Sequence, residues 1–445
     1  MKKKLKPKIV MIGGGSYAWA PNLVKDMMMS EQIAGAEFVL LDIDPEAARL
    51  VETVLHRIEE QVGSGCTFTA TTDQAAALKN ADYIIIAIST GDLDAMEHDI
   101  AIPEDYGIYH TVGDTSGPGG WARFFRNYPV FAALAADINR LAPKALILNY
   151  TNPMTTLTDV LARLCRAPVI GLCHGLFENL NFIKELYKLD EKEISVRYAG
   201  LNHFFWITDI HTGGRNLLAD LQRKLKRKTF TDLLRESSPD PMGFKSNREL
   251  AMQLYRETGV FPYLGDRHTC EFFPAYITKK STLREYKLIR TSIEERRERK
   301  AKRKKQLEAA CTGPLPEDLT VRSRETAADI ISAHLSGTPF IDVGNVPNIG
   351  QITNLPLGTV VETPVCIDPS GVTPLACGAL PETVLPLVQP YAEVFNLSVR
   401  AAMTGDRDLA LHALRLDPVC AHLTPPRVRE MGTRLLEAHK AFFSF

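Results

Sequence analysis

Apolar residues fall in short unbroken runs, most of them followed by stretches of helical spacing. Residues 8–12 form the first run, lead into Gly13-Gly14-Gly15-Ser16-Tyr17-Ala18, and continue into a helix-like segment over 21–26. Residues 37–42 predict a second strand and 47–62 an amphipathic helix. Residues 81–88 are apolar almost throughout, as expected of a strand covered on both faces of a parallel sheet. A helix over 131–141, a strand over 145–150 and a last strand over 169–172 complete the alternation. This predicts an α/β protein with an N-terminal Rossmann-type doubly wound parallel sheet over residues 1–195. Residues 196–445 read as a C-terminal α+β domain. There 342–348 and 354–356 look like turns, 360–362 a strand, and 391–404 and 406–416 helices. Pro386 weakens a helix over 382–389. Residues 113–120, dense in glycine and proline, predict a loop over a site and not a packed element.

Composition narrows the function. The 445 residues carry a net charge of -1, so no overall field draws the chain to nucleic acid or to an anionic membrane. The charged run 294–305 has no interleaved aromatic residues for base stacking and reads as a solvated helix with i,i+4 ion pairs. No apolar run is long enough for a bilayer, and the one at 10–12 is too short for a signal peptide. Eight dispersed cysteines point to a reducing, cytoplasmic setting and not to a disulfide framework.

The candidate chemistry lies at strand ends. Gly13 permits a tight turn after the first strand, Gly15 allows backbone N–H groups to approach a pyrophosphate, and Ser16 follows in the same loop. Asp42, closing the second strand, would accept the ribose diol and repel a 2′-phosphate, which favours NAD. It stands farther from the loop than the usual spacing, so the intervening helix must be long or its exit loop extended. Cys173 and His174 follow the last apolar run as a reactive pair, and His203 is a second candidate ligand. Cys173 alone would be a buried inert thiol, and His203 alone a core histidine beside Phe204-Phe205-Trp206. Together a thiolate and an imidazole could hold a divalent ion and leave coordination sites on it open.

Taken in order, these motifs resemble the NAD- and divalent-metal-dependent glycoside hydrolases of family 4. The resemblance is carried by Gly13-Gly14-Gly15-Ser16, Ile102-Pro103, Tyr106-Gly107, Gly117-Pro118-Gly119-Gly120, Asn152-Pro153, Cys173-His174, Asn202-His203, Gly265-Asp266-Arg267-His268 and Asn345-Val346-Pro347-Asn348, and it spans nearly the whole chain. It implies a lactate/malate dehydrogenase-like fold, NAD and Mn²⁺ or a similar ion as cofactors, Cys173 and His203 as metal ligands, and a homodimer or homotetramer acting on a small carbohydrate. It also implies an unusual route: oxidation at C3, deprotonation at C2, loss of the aglycone, water addition and re-reduction. Asp266 is the implied base, or else a structural partner of Arg267. His174 is the implied general acid or a sugar contact, and Asn152 binds substrate hydroxyls. Cys173-His174-Gly175 resembles the α-hexuronidases acting on glucuronides or galacturonides; Cys-His-Ser and Cys-His-Glu would mark α-galactosidases and α-glucosidases. Met96 stands where phosphosugar members carry an arginine. A uronide carboxylate would require an arginine, with Arg123, Arg126 and Arg267 as candidates. The rival readings are an NAD-dependent hydroxy-acid dehydrogenase and a non-enzymatic sugar or NAD sensor.

Overall fold

The computed structural model describes residues 6–237, 248–443 and 445; the basic residues 1–4 lie outside this set. Strands Lys8–Ile12 (β1), Glu37–Leu41 (β2), Thr67–Thr71 (β3), Tyr83–Ile86 (β4), Leu146–Asn149 (β5) and Val169–Gly171 (β6) are parallel, in the order β3-β2-β1-β4-β5-β6. This is the doubly wound order, with its reversal between β1 and β4. Successive side chains leave opposite faces of the strands. Ile9 and Met11 of β1 pack with helices Trp19–Met28 and Pro45–Val62. Val10 and Ile12 pack with helices Gly117–Leu141 and Met154–Leu164. Double coverage explains why β4 carries no polar residue between Tyr83 and Ile86.

The sheet continues past β6. Ser195–Leu201 (β7), Phe204–Thr212 (β8), Arg215–Asn216 (β9), Phe261–Pro262 (β10), Phe340–Pro347 (β11), Val360–Asp368 (β12) and Gly371–Pro374 (β13) extend it as antiparallel strands. Two junctions in this extension rest on one residue pair each: Asn345↔Gly171 joins β11 to β6, and Glu362↔Gly200 joins β12 to β7. Gly200 is required at the second, since a Cβ there would lie 2.3 Å from the Phe204 carbonyl oxygen. Both junctions lie close to the strand ends that carry Cys173 and His203.

Several sequence expectations change. Residues 113–120 do not form a loose loop: Gly117–Gly120 open the long helix Gly117–Leu141, and Gly120 packs against the Thr115 backbone so closely that a Cβ would lie 2.5 Å from Thr115 C. Residues 342–347 are strand, paired along their length with β12, and not a turn. β3 and the helix Asp92–Glu104 were not anticipated, because their short or weakly periodic apolar patterns carry little signal. Pro386 falls in the first turn of helix Leu385–Thr404, where a missing N–H costs nothing. The long interval before Asp42 comes from the exit loop: the helix after the glycine loop ends at Met28, and residues 29–36 intervene before β2.

The basic run forms helix Ile293–Ala310. Arg299–Glu295 and Lys304–Glu308 are i,i+4 pairs on it, while Arg297 and Lys300 bridge to Asp94, Glu97 and Asp92 of the helix Asp92–Glu104. Among the described residues no helix is long and apolar enough to cross a membrane.

Candidate active site

The site is built where β6 ends and the β7–β8 hairpin turns back. β6 stops at Gly171, and Cys173 stands just before the helix Gly175–Tyr187, whose first N–H donates to Cys173 Sγ at 3.4 Å. Asn202 and His203 form the two-residue hairpin loop between Leu201 and Phe204. His203 takes φ = 61°, a left-handed conformation uncommon for a residue with a Cβ and often found at functional sites. The result brings Cys173 Sγ and His203 Nε2 to 3.1 Å, from positions thirty residues apart.

The hydrogen bonds determine which nitrogen faces the sulfur as a lone pair. The Thr115 hydroxyl donates to Asp114 Oδ1 at 2.9 Å, so it can only accept from His203 Nδ1, also at 2.9 Å. Nδ1 therefore carries the proton and Nε2 is the free donor atom. Burial, with His268 and His174 nearby, keeps the His203 pKa well below its ordinary value against the pull of Asp114, so the imidazole stays neutral. Burial pushes the Cys173 thiol up, Glu362 adds to this, and the Gly175 N–H and Asn202 oppose it. Ligand bonds of about 2.3 Å from sulfur and about 2.0 Å from nitrogen, at a right angle, span about 3.1 Å. The pair thus fits a divalent ion in donor type and in separation.

Two residues not singled out from sequence complete the cluster. Asp114, His203 and His268 present ligand atoms within 4.8 Å of one another, and the His203 and His268 rings lie 4.0 Å apart. Burial works to raise the Asp114 pKa, but His268, Arg123, His203 and the Thr115 hydroxyl outweigh it and hold it down to about 2. The segment bearing Asp114 is clamped by the buried carboxylate of Glu271, which accepts from the N–H groups of Thr111, Val112 and Gly113 at 2.7–2.9 Å. Both new residues sat inside stretches already flagged: Asp114 in the glycine-rich run, His268 beside Asp266.

Asp266 does not join this cluster. It is fully buried, and its two oxygens accept the N–H groups of Leu250 and Ala251 at 3.1 Å, capping the helix Glu249–Thr258. Asp266, the base expected from the resemblance, here uses one lone pair of each oxygen to hold a helix end, and burial raises its pKa to about 7. Asn152 does approach the cluster, with Nδ2 donating to Asp114 Oδ2 at 3.4 Å and Oδ1 buried without a partner among the described residues. His174 Nε2 meets the Glu325 carboxylate, and its ring packs with those of Trp19, Tyr150 and Phe177. Arg126 is not available to a substrate, since its Nε and Nη2 hold Asp99 Oδ2 in the core at 3.1 and 2.8 Å.

Residues 8–189 match the family model described as family 4 glycosyl hydrolase, and residues 198–420 match the model of its C-terminal domain. The chain belongs to glycoside hydrolase family 4. It is therefore a glycosidase. An alpha-galacturonidase of Lachnoclostridium phytofermentans is 31% identical, the match covering 98% of this chain and 96% of that protein. An alpha-galactosidase of Bacillus subtilis is 30% identical, covering 97% and 98%. Among solved structures, lplD of Bacillus subtilis superposes with a TM-score of 0.87 at 32% identity, over 97% of this chain and 100% of that one. The Thermotoga maritima 6-phospho-beta glucosidase, solved with manganese, NAD+ and glucose-6-phosphate, gives 0.81 at 23% identity, over 99% and 100%. A malate dehydrogenase of Cryptosporidium parvum gives 0.54 at 12% identity, over 90% and 100%, which is the dehydrogenase-like fold expected from the sequence.

The glycine loop has the form the motif requires. Gly13 has φ = 91°, and a Cβ on it would lie 2.2 Å from the Ala87 carbonyl oxygen. The Gly15 N–H, which the motif would offer to a pyrophosphate, here donates to Asp42 Oδ2 at 2.8 Å, so Asp42 also braces the loop. Ile43, next in sequence, is 98% exposed, an apolar surface at the edge where a dinucleotide base would lie.

Behind Cys173, Glu362 is fully buried at the β12–β7 junction and accepts from Asn202 Nδ2 at 2.7 Å and Asn345 Nδ2 at 3.0 Å. Burial raises its pKa to about 7 despite these two bonds. A raised carboxyl pKa makes the folded state the better proton binder. Its stabilising contribution is complete below about pH 4.5 and is lost as pH rises through about 7. Glu362→Gln is expected to melt near wild type at pH 5 and to gain on the order of 2–3 kcal/mol over wild type at pH 8.5. Thermal denaturation of the ion-free protein at both pH values checks this; a pH-independent difference would count against it.

Proposed function

We propose that this glycosidase hydrolyses α-linked uronides, α-galacturonides first, using NAD and Mn²⁺ in an oxidation and elimination sequence. The observation that carries the reading is the 3.1 Å approach of Cys173 Sγ to a His203 Nε2 whose lone pair is left free by Thr115. The Cys173-His174-Gly175 pattern and the alpha-galacturonidase relatives support the uronide. Cys173 and His203 would hold the ion; the loop from Gly13 through Ser16 and Asp42 would hold NAD. When bound, NAD would take and return the C3 hydrogen as hydride, and the ion would stabilise the negative charge that follows loss of the C2 proton.

The chain's own groups manage the protons and the orientation. His268 takes the proton from C2: burial lowers its pKa and so keeps the imidazole neutral and able to accept, Asp114 opposes that shift and steadies the imidazolium that results, and its Nδ1 has no hydrogen-bond partner among the described residues. His174, its Nε2–H donated to the Glu325 carboxylate, would act as the imidazolium, passing its Nδ1 proton to the departing oxygen. Asn152, with its unpartnered Oδ1, accepts a substrate hydroxyl.

Nitrophenyl α-galacturonide, α-glucuronide and α-galactoside, each with NAD, Mn²⁺ and reductant, test the proposal. Free galacturonate should appear fastest, with no net change at the nicotinamide absorbance and with solvent deuterium at C2 of the product. Accumulating NADH would instead identify a hydroxy-acid dehydrogenase, and preference for the galactoside would remove the uronide.

A further inference from the structure

We propose that Arg296, with Arg267 beside it, receives the carboxylate of the uronide; this rests on the uronide reading above. Arg296 lies in the first turns of helix Ile293–Ala310. Its neighbours Arg297, Arg299 and Lys300 are paired with acids at the surface. Arg296 instead turns inward. Its Nη2 donates to the Val112 carbonyl at 3.1 Å, next to the segment that presents Asp114, and its Nε is buried with no hydrogen-bond partner among the described residues.

Asp114, Arg267 and Glu271 are the charged groups that act on Arg296 most strongly. Neither acid is free to satisfy it. Asp114 is held by Thr115 and by the charges of His268, Arg123 and His203, and Glu271 by three backbone N–H groups and His110. Arg267 is anchored by Nε to the Ile289 carbonyl at 2.8 Å and by Nη2 to the Thr291 hydroxyl. Two guanidiniums held near each other repel, and a planar anion between them relieves both the repulsion and the orphaned Nε. His268 connects this place to the chemistry: its ring packs on His203, and Arg267 and Arg296 are among its charged neighbours.

Of the other arginines of this region, Arg126 is bound to Asp99 and Arg290 to Glu104 and the His110 carbonyl, while Arg123 is held by Nε to the Asn152 carbonyl. A carboxylate on C6 is the one feature that separates a uronide from a neutral hexoside, so its receptor sets the specificity.

The test compares wild type, Arg296→Gln and Arg296→Lys on nitrophenyl α-galacturonide and α-galactoside, with calorimetric binding of free galacturonate and a thermal melt for each. Arg296→Gln should raise KM for the galacturonide about a hundredfold and narrow the galacturonide-to-galactoside ratio of kcat/KM by a similar factor. Galacturonate binding should weaken in parallel, and lysine, a point charge without the fork, should restore only part. Equal losses on both substrates would mean that Arg296 only holds the Asp114 segment, and unchanged kinetics would also overturn the proposal. Wild-type preference for the galactoside would sink the uronide reading and this proposal with it. Wild-type preference for galacturonide with Arg296→Gln unaffected would sink this proposal alone.

Discussion

Cys173→Ser is expected to lose Mn²⁺ and at least about a thousandfold in turnover, while the fold stays intact. Partners outside the ligand shell are commonly worth about 10 to 100 in affinity or activity, and Cys173 is one of the two groups that face each other directly. Serine keeps the volume but offers no thiolate. The ionisation states add a second observable. The His203 imidazole is neutral because burial and two neighbouring histidines disfavour its charge, so it has no proton to give up. The Cys173 thiol is pushed up by burial and by Glu362, so binding must displace the Sγ proton. Loading wild type near pH 7 should therefore release about one proton per ion, and apparent affinity should rise with pH. Calorimetry in two buffers of different ionisation enthalpy measures the proton, and elemental analysis measures the ion. Full metal content and turnover in Cys173→Ser would refute the assignment.

His268→Gln is expected to lower kcat by about 10² to 10⁴, the usual worth of a positioned general base. KM, metal content and melting temperature should stay near wild type. Glutamine preserves much of the shape and some hydrogen bonding, but it cannot take a proton. Loss of the ion together with the rate would instead make His268 a third ligand beside Asp114 and His203, whose donor atoms already lie within 4.8 Å of its own. Asp266→Ala should do something different: the Leu250 and Ala251 N–H groups lose their acceptor, and stability falls by about 1–2 kcal/mol.

The contrast between Asp266 and His268 shows where the sequence stops being legible. Both belong to one four-residue motif, and nothing in its spelling says which side chain enters the site. Asp266 opens a short helix, Asp266–Thr269, and its carboxylate is drawn to the unsatisfied N–H groups of the helix beginning at Glu249. His268, two residues on, sits about 200° further round such a turn and meets His203. Asp114 was hidden for a related reason. A run of glycines suggests mobility, yet the Glu271 carboxylate, more than 150 residues away, gathers three successive N–H groups and makes the run rigid. Residues 342–347 were misread because Asp, Gly, Asn and Pro suggest a turn locally, whereas pairing with β12 supplies ladder bonds that outweigh that preference.

The order of apolar runs by itself determined the doubly wound half, because covering a parallel sheet on both faces leaves a pattern that short-range periodicity records. The motif order likewise determined the family, and with it Cys173 and His203 as the residues to examine. Only the tertiary structure decided which nitrogen of His203 faces the sulfur, which acids and imidazoles stand around the pair, and which arginine turns inward. Those outcomes depend on hydrogen bonds between residues tens to hundreds of positions apart. Such bonds form only after strands and helices have packed, and no local pattern encodes them.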